Sequence, residues 1–482
     1  MEAGLPDKPR LSRTAPAPKV GIVHLGPGAF FRAFNAVYTD EAMALSGGDW
    51  GITAVSLRSA TARDQLEPQG GTYTSVTLAP DGERDKVIGA ITQVLVAPDD
   101  PEAVISAIAD PAVRIVSLTI TEKGYCHSPA TGRLRLDHPD VVHDLAHPEA
   151  PRSAPGFLVA ALARRRDSGA GPLTVLSCDN LPSNGALARG VVLDFARALD
   201  PDLADWIAEE ISFPATMVDR ITPATTADDV ARLADRAGYD DPGCVAHEQF
   251  RQWVIEDNFV AGRPAWDSVG VQFVASVEAH ETMKLRCLNG THSALAYLGY
   301  LGGYETISET VSDPAFAAFC EHLWAQEILP TVERPEGEDL KAYCQTLLAR
   351  YRDPSIRHRT WQIAMDGSQK LPQRILGTIA DTRAAGGMPE GLCLVVAAWM
   401  RYVGGVDETG APIDVRDPLA ARLKAASDAA DGAEATVAAL LAFDEIFAPE
   451  LAADAPFRDA VSAAFARLEK DGARATVTAF KP

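Results

Sequence analysis

Apolar positions are distributed along this chain in two different ways. From residue 19, "KVGIVHLGPGAFFRAFNAVYTDEAM" is a short apolar run, a Gly-Pro-Gly turn and then an amphipathic helical pattern. Further continuous runs rich in β-branched residues follow at 50–58, 73–79, 87–97, 113–120 and 173–179. Helical patterns such as "DPEAVISAIAD" and "PGFLVAALARRRDS" lie between them. Runs without polar alternation, separated by helices, predict a parallel sheet covered on both faces, and hence an α/β fold opening on a β-turn-α unit.

Beyond about residue 278 the pattern changes. "THSALAYLGYLGGY", "DPAFAAFCEHLWAQEIL", "DLKAYCQTLLARYRD", "GLCLVVAAWMRYVGG" and "ATVAALLAFDEIFA" carry helical periodicity, with Gly, Pro and Asp between them. The expectation is two domains, residues 1–280 and 281–482, the second mostly α-helical. The acidic stretch at 407–417 reads as an internal loop, and the alanine-rich tail from 418 reads as surface helix.

Composition narrows the function classes. At 482 residues the chain is longer than one core usually supports, which agrees with two domains. Its 47% AVILMFWYC and 23% charged residues are those of a globular protein. A formal net charge of −22 argues against nucleic acid and anionic membrane as partners, because both reward a basic surface. It leaves room for a small anionic substrate in a local basic pocket. Seven scattered cysteines without a CxxC pair suggest reduced thiols and a cytoplasmic protein. The N-terminus has no apolar signal core, and no stretch reaches the ~20 apolar residues that span a bilayer.

In "HLGPGAFFRA", Gly26 and Gly28 follow a predicted strand and precede a helix, the place where a dinucleotide pyrophosphate meets backbone N–H groups. Ala29 and Phe30 open that helix. Phe31 stands where a third glycine is usual, so the pattern fits either a nucleotide turn or a tight β-α connection. The second strand runs out into Arg58 and Ser59 without an acidic residue for a ribose. Arg58 suits a 2′-phosphate, adenine stacking or plain solvation, which leaves NAD and NADP both open.

"KLRCLNGTHSAL" (284–295) holds an amine, an amide and an imidazole among core-like residues. On a regular α-helix, at ~100° a residue, Lys284, His292 and Asn289 stand at roughly 0°, 80° and 140°, on one broad face. The trio suits hydride transfer at a secondary alcohol carbon. A desolvated lysine serves as proton donor and acceptor, an amide holds the reacting oxygen, and an imidazole fixes a neighbouring hydroxyl. A snorkelling lysine, a capping asparagine and a core histidine are the plain structural alternative.

Other segments add to the first reading. "SCDNLPSNG" places Asp179 and Asn180 just past a strand, at the carboxyl edge where α/β sheets bind ligands, though Asp-Asn is also a common turn pair. "TITEKGY" does the same for Glu122 and Lys123, and "MDGSQKLPQR" puts Lys370 in a Gly/Ser/Pro loop. There is no HExxH, no Cys/His cluster and no GxSxG, so neither a metal site nor a nucleophilic serine is expected.

Together these segments, with "FPATMVDRITP" and "WVIEDNF", resemble the long-chain mannitol dehydrogenase family of metal-independent polyol and hexuronate oxidoreductases. The resemblance covers nearly the whole chain. It implies a Rossmann-type N-terminal domain, a helical C-terminal domain and an active site in the cleft between them. It further implies Lys284 as general acid/base, Asn180 and Asn289 on the reacting oxygen, and His292 orienting the substrate. Asp219 and Lys370 would line the substrate pocket, and Glu122 matches a family glutamate that passes protons to solvent.

Two departures from the family pattern stand out. Where the family commonly has "GxGxFHRAH", this chain has "GPGAFFRAF", with Phe31 and Phe34 in place of both histidines. The mannitol-oxidising branch commonly carries an arginine eight residues before the lysine of the DGS loop, and Gln362 stands there. The surroundings look closer to fructuronate reductases, for whose carboxylate Lys370, Arg359 or Arg374 would supply charge-assisted hydrogen bonds. The expected activity is therefore NAD-dependent reduction of D-fructuronate to D-mannonate by a monomer or small homo-oligomer. A mannitol or arabinitol 2-dehydrogenase, and a non-catalytic nucleotide-binding sensor, are the alternatives.

Overall fold

The computed structural model describes residues 8–129 and 131–480. The chain divides into two compact units, Met1–Glu278 and Ala279–Pro482.

The first unit carries β1 (Val20–Leu25), β2 (Gly51–Ser56), β3 (Tyr73–Leu78), β4 (Arg84–Ile88), β5 (Ile91–Val96), β6 (Ile115–Leu118), β7 (Thr174–Ser177), β8 (Thr216–Asp219), β9 (Val245–Glu248), β10 (Gln252–Glu256) and β11 (Gln272–Val274). Five of them form an all-parallel sheet in the order β5-β2-β1-β6-β7. Successive residues of β1 feed opposite faces, as the pleat requires. Ile22 joins Phe31, Phe34, Val37 and Tyr38 on one side. Val23 and Leu25 join Ile105, Ile108, Phe157 and Leu162 on the other. The helix Pro101–Ala109 starts at Asp100, whose carboxylate accepts from Ala103 N at 2.9 Å. The helix Ala154–Ser168 starts at Ser153, whose hydroxyl accepts from Gly156 N at 3.1 Å. Both caps hold orphan N–H groups at the point where each helix turns back onto the sheet.

Several expectations need correction here. The 87–97 run is two strands, not one, because Gly89-Ala90 breaks it and β4 and β5 belong to different sheets. The 73–79 run forms β3, which pairs antiparallel with β4 and parallel with β9 in a separate three-stranded sheet. A third small sheet, β11-β10-β8, lies in a region where no strand was expected. The helix after the glycine turn is interrupted at Phe34 (φ −130°, ψ −82°) and is buried almost throughout residues 31–39, so it is not amphipathic.

The second unit is helical, with its own core around Leu295, Leu298, Phe316, Leu323, Leu347, Val395 and Trp399. The run "GLCLVVAAWM" lies in the buried helix Glu390–Val403. The alanine-rich tail is surface helix only in part: Ala420–Asp428 buries Leu423 alone, but the last helix has a buried face. In Ala455–Ala479, Phe457, Val461, Phe465 and Leu468 fall on one face and are at most 2% exposed, packing against the Glu390–Val403 helix. Small alanines between these anchors let the helix approach closely, and they conceal the apolar stripe from a compositional reading. Among the described residues no helix is long and apolar enough to cross a membrane.

Candidate active site

In the first unit the glycine turn leaves the carboxyl end of β1, at the centre of the parallel sheet. Gly26 has φ +95°, and a Cβ there would stand 2.2 Å from the Thr119 carbonyl oxygen. Only glycine fits that position. Gly28 is different, since an added Cβ would meet no protein atom closer than Gly26 O at 3.9 Å. It borders a cavity of about 380 Å³, also lined by Ser56, Leu57, Arg58 and Ser59 from the end of β2 and by Thr119 to Thr121 after β6. A side chain at Gly28 would take up space that the bare backbone leaves open. The charged side chains around the cavity are four bases, Arg32, Arg58, Lys123 and Arg152, against Asp140. That balance, at the point where strand order reverses between β1 and β6, fits a dinucleotide diphosphate.

Phe31, in the place of the third glycine, is buried and stacks on His24, with ring centroids 3.4 Å apart and planes within 6°. His24 lies opposite Ser117 in the β1-β6 register and meets its hydroxyl at 2.8 Å through Nδ1. Its Nε2 reaches Thr119 Oγ1 at 3.0 Å and Gly26 O at 3.1 Å. Burial pushes this imidazole down to about 3, so it is neutral. The sequence reading passed over His24, which braces the glycine turn from beneath. Ala29 and Phe30 open the short helix Ala29–Ala33, where Phe30 stacks on Phe34 at 5.0 Å.

Asp179 follows β7 and is buried. Its carboxylate accepts from Ile120 N at 3.0 Å, Thr121 N at 2.9 Å and Tyr125 Oη at 2.8 Å. It therefore shapes the "TEKGY" turn, in which Thr121 takes φ +62°. Burial raises the Asp179 carboxyl, while the three donors oppose that shift. Asn180, next in the chain, is exposed at the carboxyl end of the sheet, and Glu122 is exposed in the turn Thr121–Gly124. Asp219 closes β8 and is 4% exposed, which is rare for a carboxylate. Its strand is fixed by Asn184, which accepts from Thr216 N at 2.9 Å and donates to Thr216 O at 2.8 Å and Asp179 O at 3.0 Å.

In the second unit the expected regular helix at 284–295 has a different winding. Residues Lys284–Gly290 form a π-helical segment between the α-helices Glu278–Met283 and Thr291–Leu301. With i→i+5 bonding the chain turns roughly 80° a residue instead of 100°. Over this stretch Lys284, Asn289 and His292 then fall within an arc of roughly 80°, against ~140° on a regular helix. Carbonyls loosened by the wide turn find other donors. Cys287 O accepts from Thr291 Oγ1 at 2.6 Å and Trp324 Nε1 at 2.9 Å, and Leu288 O accepts from Tyr351 Oη at 2.8 Å. A second π segment, Pro372–Leu376, packs against the first so closely that a Cβ on Gly290 would lie 2.9 Å from Arg374 O.

Lys284 and His292 are buried, at 8% and 9% exposure, and Asn289 is half-buried. The Nε2 of His292 is buried and makes no hydrogen bond within the protein. Burial, followed by the charges of His358, Arg374, Arg350 and Lys370, holds this imidazole well below its usual range. Arg374 Nη1 donates to Ser293 Oγ at 3.2 Å, and Lys370 Nζ donates to Met365 O at 2.6 Å. Burial and the neighbouring Arg374 lower the Lys370 amine to about 8. The expected loop around Lys370 is instead the short helix Gly367–Leu371, whose start is held from the side by Asp417, which accepts from Ser368 N at 2.7 Å and Ser368 Oγ at 2.6 Å. Arg359 is placed elsewhere: it is exposed and pairs with the equally exposed Glu305 at 3.7 Å. Gln362 is also exposed. His358 and Arg350 were not singled out from the sequence, which has no spacing rule that links them to residue 292. Among the described residues no group of three His, Cys, Asp or Glu side chains is placed to hold a metal.

Residues 20–268 match the mannitol dehydrogenase Rossmann domain, and residues 276–469 match the mannitol dehydrogenase C-terminal domain. The chain is 50% identical over 462 residues to a D-mannonate oxidoreductase of Escherichia coli strain K12, covering 95% of each. It is 42% identical over 468 residues to a mannitol 2-dehydrogenase of Phaeosphaeria nodorum, covering 96% of this chain and 81% of that one. Among solved structures, a ternary complex of Pseudomonas fluorescens mannitol 2-dehydrogenase with NAD and D-mannitol is 40% identical. It superposes with a TM-score of 0.84, covering 98% of this chain and 96% of that one.

Proposed function

We propose a function from one premise: the chain belongs to the mannitol dehydrogenase family, whose Rossmann and C-terminal domains match residues 20–268 and 276–469. It is an oxidoreductase that uses NAD to interconvert a ketone and a secondary alcohol on a small sugar acid or polyol. Its substrate pair is D-fructuronate and D-mannonate, reacting at C2. The observation that carries this choice is the half-buried guanidinium of Arg374 beside the helix that bears His292, where it donates to Ser293 Oγ at 3.2 Å. A hexuronate brings a carboxylate that a guanidinium binds by charge-assisted hydrogen bonds, which a neutral polyol does not. The relation to a D-mannonate oxidoreductase at 50% identity supports the same choice.

The glycine turn, Arg58 and the start of the helix at Ala29 and Phe30 would hold the dinucleotide. NADH, when bound, supplies the hydride. Lys284, a buried amine, gives the proton to the reacting oxygen. The amide of Asn289 donates to the same oxygen, a role that the family pattern gives Asn180 as well, and His292 takes the adjacent hydroxyl on its unused Nε2. Asp219 and Lys370 position the substrate, and Glu122 exchanges the proton with solvent.

The test is a steady-state comparison, followed by NADH or NADPH absorbance, across fructuronate, tagaturonate, fructose, mannonate, mannitol and arabinitol. A kcat/KM for fructuronate at least about tenfold above that for fructose is expected, since tenfold corresponds to about 1.4 kcal/mol of discrimination. Equal or better use of fructose would replace this reading with that of a polyol dehydrogenase.

A further inference from the structure

Strand β2 runs parallel to β1 and ends beside the glycine turn. In a sheet of this kind the adenosine ribose of a dinucleotide comes to rest at the end of that second strand. NAD and NADP differ only at this ribose, by a hydroxyl against a phosphate at the 2′ position. An acid at the strand end would hold the hydroxyl and repel the phosphate. Here Ser56 closes β2 and Leu57, Arg58 and Ser59 follow, all four on the wall of the cavity of about 380 Å³. Asp64, on the helix Thr61–Leu66, and Asp99, after β5, both pair with Arg63, at 3.0 Å and 2.6 Å, and neither lines the cavity. Asp140, which does line it, has His138 at 4.0 Å. Arg58 is exposed, and among the described residues its guanidinium is in no ion pair. Arg152 adds a second guanidinium to the same wall, its backbone N–H donating to Asp144 at 2.8 Å. Ser59 and Thr61 add hydroxyls 3.4 Å apart. A phosphate accepts from guanidinium and hydroxyl donors alike, whereas a neutral ribose hydroxyl makes no use of the charge.

We infer that Arg58 receives the 2′-phosphate of NADP, so that the enzyme takes either dinucleotide. The inference rests on the NAD-dependent reading above, which places the dinucleotide at the glycine turn. It goes further by assigning cofactor breadth to one side chain at the end of β2. Adenosine 2′,5′-bisphosphate and AMP share an adenosine and a 5′-phosphate and differ only in the 2′-phosphate, so their comparison isolates this contact.

The experiment is calorimetric titration of the full chain, as wild type, Arg58→Ala and Arg58→Lys, with each of these two nucleotides. Wild type is expected to bind the bisphosphate about ten- to a hundredfold more tightly than AMP, the range for a charge-assisted hydrogen bond. Arg58→Ala should bring the two Kd values within about threefold of each other. Arg58→Lys should keep part of the difference, since an ammonium retains the charge without the planar fork. In turnover, wild-type kcat/KM with NADPH should lie within about tenfold of that with NADH, and a larger preference for NADH overturns the inference. Equal Kd values in wild type would mean that no phosphate is held at this strand end. An equal loss of both nucleotides in Arg58→Ala would mean that Arg58 stacks on adenine. Either result likewise overturns the inference and leaves the NAD-dependent reading standing. Tight binding of both nucleotides without turnover of any substrate would overturn the reading of the function instead.

Discussion

The amine of Lys284 is the group whose removal should be felt most. Lys284→Ala should lower kcat by about a hundred- to ten-thousandfold, the usual worth of a positioned acid/base. NADH binding, read by fluorescence titration, should stay within about threefold, because the glycine turn that supports it lies in the first unit. Lys370 carries a different signature. Its amine, lowered to about 8, is charged below that pH and neutral above it. For an anionic substrate, kcat/KM should therefore fall as pH rises through about 8, two or more pH units earlier than an exposed lysine would allow. Lys370→Arg should flatten this limb, since a guanidinium keeps its charge throughout. Persistence of the limb in that variant would trace it to another group.

At the scale of the element, the π-helical segment Lys284–Gly290 gathers amine, amide and imidazole into a narrow arc. The winding has local supports: Thr291, Trp324 and Tyr351 take the carbonyls of Cys287 and Leu288. Gly290 lets the second π segment approach. A methyl group at Gly290 would meet a backbone oxygen, Arg374 O at 2.9 Å, and backbone gives way less readily than a side-chain end. Gly290→Ala should thus cost about 1–3 kcal/mol of stability, seen in denaturant unfolding. It should also lower kcat/KM by similar factors on acid and ketose substrates, because it displaces Asn289 and His292 for both. A selective loss on one substrate would contradict that account.

Across the molecule, each unit has a core of its own, and the dinucleotide site belongs to the first. NADH at about a hundred times its Kd should add about 2.7 kcal/mol to whatever unfolding transition includes that unit, which calorimetry would register as a higher Tm. Gly26→Ala should abolish this shift. The new Cβ would stand 2.2 Å from Thr119 O, and φ +95° is strained for any residue with a side chain. A wild-type-like shift in that variant would place the cofactor elsewhere.

The sequence by itself determined the succession of β-branched runs around Gly26, the change to helical stripes near residue 278, and the set of chemical residues. These are legible because strand and helix periodicities are local properties of the chain. The K-x4-N-x2-H pattern likewise named Lys284, Asn289 and His292 without a structure. Their closeness, however, was decided by winding: a π segment differs from an α-helix by the donors that reach it, and Trp324 and Tyr351 come from 37 and 63 residues away. Nor did local periodicity separate β4 from β5, because a continuous apolar run looks the same whether one sheet or two receive it. His358, Arg350 and His24 stayed hidden for the same reason, since the role of each is set by a distant partner. Only tertiary structure brings His292 and His358 together across 66 residues, because no local periodicity links positions that far apart.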